Sequence, residues 1–318
     1  MGDRDDRQVQ DIGFILIDGF ALMSYAAASE PLRAANLLAG REIYRMQAFR
    51  DGGGAARASS GALVPCEGLP QKAGGLHTVF VCAGGMPDRW QAPAVEATIR
   101  LLARQGVRIG GISGGPHILA AAGLLAGCRF TIHWEHAPVF AETFPALAPE
   151  RARYVIDAGR ITCGGGVAPL DMMHALIAGR MGGDFARRVS DWYLHTAVGG
   201  SAAPQRASLA ERHGVHHPAL LAVLEKMEAT VETPLARDAM ARFAGITPRH
   251  LDRLFAGKMS STFLAEYRRI RLEHARRLLQ QSPLAIGEIA LACGFQSAGH
   301  FSTTYRRHFG QTPSTVRG

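Results

Sequence analysis

The sequence contains no run approaching the about 20 consecutive apolar residues that a membrane-spanning helix requires. Its start, MGDRDDRQVQD, is polar and lacks the apolar stretch of a signal peptide, so a cytoplasmic protein with no membrane partner is expected. Cysteine is scarce and badly placed for pairing. The five residues Cys66, Cys82, Cys128, Cys163 and Cys293 are odd in number and scattered, and no CxxC occurs. A disulfide framework and a zinc site are therefore not expected, and neither is any metal or other cofactor. Charged residues make up only 19% against 47% hydrophobic, which excludes an intrinsically disordered chain. At about 150 residues per domain, 318 residues imply two domains.

What charge there is lies unevenly. Residues 1–200 carry 19 basic and 18 acidic side chains, whereas residues 216–318 carry 14 and 8, so most of the net +8 belongs to the last third, almost all of it as arginine. A basic terminal domain of this kind points to a polyanion, nucleic acid (DNA or RNA) first.

Short buried runs alternate with helical patterns through the first two thirds. IGFILI (12–17), TVFVC (78–82) and VRIGGI (107–112) read as strands. The stretches 26–39, 93–105, 116–126 and 168–181 read as helices, and 153–157 with 160–163 read as an antiparallel pair turned at Gly159. This alternation predicts an α/β domain with a mainly parallel sheet over residues 11–198, behind a flexible N-terminus at 1–10. Residues 199–218, rich in Gly, Ser, Ala and Pro, read as a linker, and His213, His216 and His217 within it as solvated side chains rather than a metal site. An all-α domain follows at 219–318.

That helical domain contains a near-repeat. Ala241-x-x-x-Gly245-Ile246-Thr247 precedes Leu251-x-x-x-Phe255, and Ala290-x-x-x-Gly294-Phe295-Gln296-Ser297 precedes Phe301-x-x-x-Tyr305. In each copy a small residue permits close helix crossing, a glycine makes the turn, and a hydroxyl caps the next helix. This is helix-turn-helix grammar written twice. Two such units let two recognition helices enter successive major grooves about 34 Å apart.

The last hundred residues resemble the AraC/XylS-type transcription regulators. The resemblance is carried by Ile289-Ala290-x-x-Cys293-Gly294-Phe295-x-Ser297-x-x-x-Phe301-Ser302-x-x-Tyr305-Arg306-x-x-Phe309-Gly310-x-Thr312-Pro313. By position it implies that the first recognition helix offers Arg249, Asp252 and Arg253 to DNA. The second offers Ser297, Ala298, Gly299, His300 and Thr303. Arg306, Arg307 and the Arg268–Arg271 cluster are assigned to phosphates.

In the larger domain, Val107-Arg108-Ile109-Gly110-Gly111-Ile112-Ser113-Gly114-Gly115 followed by a helix has the form of a nucleophile elbow. The stretch from 11 to 198 resembles the class I glutamine amidotransferase-like superfamily, which implies a flavodoxin-like sheet. Where its enzymes carry cysteine this chain has Ser113, no histidine stands in Cys163-Gly164-Gly165-Gly166-Val167-Ala168-Pro169-Leu170-Asp171, and Ser24 occupies the place of an activating acid. The resemblance thus implies a catalytically dead, ligand-sensing domain. The fusion of the two domains is similar to regulators of arginine, glycine betaine and carnitine catabolism. It implies an activator that responds to a small amino-acid or quaternary-amine inducer, works as a homodimer and engages RNA polymerase. Ser113, Gly114, Gly115, His133, Trp134 and Glu30 are the expected ligand residues, with Trp90 and Glu135 as further candidates for a cation. The competing expectation is a serine amidase using Ser113, with His117, His133 or His136 as base.

Overall fold

The computed structural model describes residues 8–85 and 87–317. The N-terminus expected to be flexible lies, for residues 1–7, outside the described residues. Gln10 already belongs to the sheet, its N–H donating to Ile43 O at 3.0 Å. The chain divides into two compact units, Met1–Gln205 and Arg206–Gly318.

The first unit runs β1 (Gln10–Leu16), α1 (Leu22–Ala39), β2 (Tyr44–Arg50), β3 (Gly54–Arg57), β4 (Leu63–Gly68), β5 (Leu76–Ala83), α2 (Pro93–Arg104), β6 (Arg108–Ser113), α3 (Gly115–Ala121), α4 (Ala137–Thr143), β7 (Tyr154–Asp157), β8 (Arg160–Cys163), α5 (Ala168–Met181) and α6 (Gly183–Trp192). The eight strands lie in the order β3-β4-β2-β1-β5-β6-β8-β7. Five of the pairings are parallel, and only the outer pairs β3–β4 and β7–β8 are antiparallel. This is the expected flavodoxin-like α/β architecture.

The apolar runs explain the layers. Along β1, Phe14 and Ile15 point to opposite faces and both are fully buried, as a strand covered on two sides requires. Phe14 and Phe80 stack at 5.7 Å within the core under α1, α5 and α6. Ile15, Val79, Val81 and Ile99 form the core on the other face, under α2 and α3. The strands expected from apolar runs are present, and so is the 153–163 hairpin, turned at Gly159 with φ +76°. Helix α3 is shorter than the stretch 116–126 suggested, because the chain turns away at Gly123 with φ +73°. Strands β2 to β4 escape periodicity reading, since their sequences (YRMQAFR, GAAR, LVPCEG) mix exposed and buried positions without an apolar run.

The segment expected as a linker is ordered. Residues 199–205 bond to the first unit, and α7 (Leu209–His213) is closed by a reciprocal cap in which Ser208 Oγ accepts from Glu211 N while Glu211 Oε2 accepts from Ser208 N. His213 is not solvated: its side chain packs 3.7 Å from the Glu266 carboxylate.

The second unit continues with α8 (Pro218–Ala229), α9 (Arg237–Phe243), α10 (Pro248–Met259), α11 (Phe263–Gln281), α12 (Ile286–Ala292), α13 (Ala298–Phe309) and α14 (Pro313–Arg317). The internal repeat is geometrically faithful. Gly245 and Gly294 adopt φ +66° and +70°. Ile246 N donates to Ala241 O at 3.0 Å, and Phe295 N to Ala290 O at 2.8 Å. Thr247 and Ser297 each cap the following helix by accepting, at 3.2 Å, from the N–H three residues on. Helix α11 joins the two units of the repeat through buried Ile270, Leu272, Ala275, Leu278 and Leu279.

The two turn glycines separate conformational from steric cost. A Cβ at Gly245 meets no atom within 4 Å, whereas at Gly294 it comes within 2.7 Å of Val231 O and Pro234 Cγ. Gly245→Ala should therefore cost only the left-handed penalty, about 1–2 kcal/mol. Gly294→Ala should cost clearly more, a ranking that denaturant titration of the full chain checks.

Candidate functional site

Strand β6 hands over to α3 through one residue. Ser113 closes the strand and adopts φ +61°, a left-handed conformation unusual for a residue with a side chain. Two backbone bonds hold the corner: Gly114 N donates to Ala83 O at 3.0 Å, and His133 N donates to Ser113 O at 3.3 Å. Gly114 and Gly115 are required by contact. A Cβ on Gly114 would lie 2.3 Å from the Trp90 ring, and one on Gly115 would lie 2.1 Å from Val81 O. Trp90 is accordingly buried under the elbow, its indole N–H donating to Gly84 O at 2.9 Å, and offers no open face to a cation.

The Gly-rich turn after β8 faces the same corner. A Cβ at Gly165 would lie 2.7 Å from Ser113 Cβ. The next amide, Gly166 N, donates to the buried Ser24 Oγ at 2.8 Å. The structure thus gathers Ser113, Ser24, the glycine turn and His133 around one point, from four separated stretches of sequence. Glu30 is not brought to it. It stands six residues beyond Ser24 on α1, about 9 Å of rise and about 240° of turn. There it pairs with Arg33 at 2.7 Å and accepts from the Tyr193 hydroxyl at 3.1 Å.

Two of the candidate bases, His117 and His133, have side chains that make contacts of their own. His117 packs among Trp90, Phe144 and Phe140, with ring centroids 5.3, 5.0 and 6.1 Å away. Burial there pushes its pKa down to about 4. His133 is also held below the ordinary histidine value by burial, and its Nδ1 accepts from Glu135 N at 3.3 Å. Cys163, buried beside this turn, has its thiol pushed up to about 12 by burial, which keeps it protonated.

A second polar group was not legible in the sequence. Asp171, wholly buried in α5, accepts from Arg153 Nη1 at 2.5 Å and from Gly199 N at 2.8 Å, and pairs with His195 Nε2 at 2.7 Å. Its only sequence signal is a carboxylate inside the apolar helix APLDMMHALIAGRM. Gln205 likewise carried no signal. Its amide donates to Thr131 Oγ1 at 2.9 Å, Ile132 O at 2.9 Å and Ala152 O at 2.7 Å, and accepts from Trp134 N at 2.8 Å.

In the second unit, the positions expected to face DNA are exposed: Arg249, Asp252 and Arg253 on α10, and Ser297, Ala298, Gly299, His300, Thr303, Arg306 and Arg307 on or beside α13. Asp252 is bound by Arg237 Nη1 at 3.1 Å, and Arg253 Nη2 lies 2.8 Å from His250 Nδ1. The Arg268–Arg271 cluster divides. Arg268 is exposed, but Arg269 binds Glu266 and Glu273. Arg271 donates to Cys293 O at 2.7 Å and Gly294 O at 2.6 Å and lies 4.3 Å from the Phe295 ring centroid. Arg269 and Arg271 are therefore structural, the latter bracing the second turn, and the phosphate expectation is corrected for both.

Comparisons with known proteins agree with this division. Residues 12–178 match the DJ-1/PfpI family, and residues 240–318 match a helix-turn-helix domain. The HTH-type transcriptional regulator GlxA of Rhizobium meliloti (strain 1021) is 62% identical over 98% of this chain and 97% of its own length. The HTH-type transcriptional regulator CdhR of Pseudomonas aeruginosa is 39% identical over 97% of this chain and 91% of its own. Among solved structures, an AraC family transcriptional regulator from Pseudomonas putida superposes with a TM-score of 0.54 at 23% identity, over 58% of this chain and 99% of that one, a likeness of fold. Among the described residues no helix is long and apolar enough to cross a membrane.

The half-buried imidazole of His117 sets a pH dependence. The folded chain holds it neutral down to about pH 4, while the unfolded chain takes up a proton near the ordinary value of 6.5. Acidification from 6.5 towards 4 therefore favours unfolding. His274, lowered to about 4 by burial, adds in the same direction. Stability of the full chain should fall over this window, and His117→Gln should flatten the fall, as denaturant titrations at several pH values would reveal.

Proposed function

Because the chain belongs to the DJ-1/PfpI family and, over nearly its whole length, to the HTH-type transcriptional regulators that add an AraC-type domain behind that fold, we propose that it is a regulator switched by a small metabolite held at the Ser113 elbow. As a sequence-specific DNA-binding regulator it reads DNA with its second unit. The observation that carries this is the repeated turn: two helix-turn-helix corners with the same glycine conformation, backbone bond and hydroxyl cap, each presenting an exposed helix from a basic unit.

Arg249 and Arg253 are the base readers of α10, since an arginine can pair bidentately with guanine. Asp252, held by Arg237 at 3.1 Å, is the third α10 side chain presented to DNA. On α13, His300 and Thr303 read bases, Ser297 fixes the helix start, and Arg306 and Arg307 bind phosphate.

In the first unit, Ser113, Gly114, Gly115, His133 and Trp134 form the sensing pocket. Its ligand is an amino-acid or quaternary-amine metabolite with a carboxylate. Support comes from the elbow itself, a strained left-handed corner at which His117 and His133 make other contacts. The reading includes a cytoplasmic homodimer that activates transcription through RNA polymerase and does no chemistry. The strained Ser113 also favours one rival, an amidase, which would show turnover of amides or esters that disappears in Ser113→Ala.

Two measurements test the proposal. A carboxylate-bearing amine at 100 times its dissociation constant should stabilise the full chain by about 2.7 kcal/mol in a thermal-shift screen, and Ser113→Trp should abolish that shift. A blank across amino acids, betaines and carnitine would overturn the ligand class. For the second unit, Arg253→Ala should lose about 1–3 kcal/mol on a selected duplex with little loss on random DNA, while Arg306→Ala should weaken both alike. An unchanged ratio for Arg253→Ala would remove its role as a reader.

A further inference from the structure

The first unit ends in a strap, residues 195–205, that is fastened to it at three places. His195 Nε2 and Gly199 N bind the buried Asp171 carboxylate. Ser201 O accepts from Arg153 N at 2.9 Å and from Tyr154 N at 3.4 Å. Gln205, half-buried, makes the last attachment, and the second unit begins at the next residue.

The Gln205 attachment differs from the others in what it touches. Residues 131–134 lie outside the sheet strands, so their backbone groups need partners from elsewhere. The Gln205 amide supplies two of these partners, donating to Ile132 O and accepting from Trp134 N. Two routes then lead to Ser113, each one residue long. Along the first, Trp134 adjoins His133, whose N–H binds Ser113 O. Along the second, the Gln205 side chain fills the space above Gly164, where a Cβ would lie 2.5 Å from Gln205 Cδ, and the adjoining Gly165 abuts Ser113. Both flanks of the elbow therefore meet in one side chain at the last residue of the unit.

We propose that Gln205 is the coupling residue of the protein: its amide converts the state of the Ser113 elbow into a change in the chain where the DNA-binding unit starts. This rests on the reading of the elbow as a sensing pocket. A ligand that displaces either 133–134 or 164–165 must break or re-form contacts of the same amide, and the released strap shifts the equilibrium of the DNA-binding unit. Such coupling is typically worth about fivefold or more in affinity.

The test needs no ligand and uses the full chain. Gln205→Ala removes the amide, Gly164→Ala expels it while leaving Gln205 in place, and Gln205→Glu keeps an acceptor for Trp134 N but loses the donors. The probe is a duplex recovered from a random pool by the unmodified chain. Both alanine variants should change affinity for it by about fivefold or more, with Gln205→Glu intermediate. Amide exchange should quicken not only over 199–205 but also over 131–136 and 111–117. Affinity within about twofold of the unmodified chain would reduce Gln205 to a simple anchor and overturn the proposal. So would faster exchange confined to 199–205. If Gln205→Ala does not fold, Gly164→Ala and Gln205→Glu carry the same comparison. A failure of the sensing reading is seen separately, as the absence of any ligand-induced thermal shift in the unmodified chain.

Discussion

A parallel strand that enters a helix within one residue has almost no freedom, and this constraint governs the first unit. To bring α3 straight out of β6, Ser113 must take a left-handed conformation, and the two residues after it must lack side chains because the Trp90 ring and Val81 O already occupy their space. Among the described residues, the 131–134 loop and the glycine turn after β8 flank the elbow from either side. Strain of this kind persists only where the surroundings over-determine it, and here four separated stretches of chain do so.

Polar groups do the corresponding work at the end of the unit. A carboxylate buried without partners is prohibitively unstable, so Asp171 organises Arg153, His195 and Gly199 around itself and draws the strap against the sheet. Gln205 satisfies backbone groups of the 131–134 loop that the strands beside it leave unpaired. Both are satisfied networks rather than isolated bonds, and such networks tend to hold one arrangement or switch together to another.

The second unit uses the opposite economy, one design twice. Its corners are stabilised by local features, a left-handed glycine and a hydroxyl cap, that need little help from distant residues. What differs between the copies is their bracing. Arg271 reaches across from α11 to the carbonyls of Cys293 and Gly294 and covers Phe295, while Asp252 and Arg237 tie α10 to α9 in the first copy. Arginines in a basic domain thus divide between those that hold the reading helices in place and those left free for the polyanion.

The sequence by itself determined whatever depends on neighbours along the chain. The apolar strands 12–17, 78–82 and 107–112, the elbow at Ser113, the hairpin at Gly159 and the repeated helix-turn-helix all rest on local periodicity or local backbone requirements, and each is found in the structure. Tertiary structure decided what depends on contacts across the chain. It turned Glu30 towards Arg33 and Tyr193, placed Trp90 beneath the elbow, and assigned Arg269 and Arg271 to internal partners. It made Asp171 and Gln205 central, although the first is marked in sequence only as a carboxylate inside an apolar helix and the second is not marked at all. A side chain's partners are set by which elements the sheet order β3-β4-β2-β1-β5-β6-β8-β7 brings together, and the closed fold joins residues as far apart as Glu30 and Tyr193, 163 positions along the chain. Local pattern carries no information about such pairs, because their free energy is realised only when the fold has closed around them.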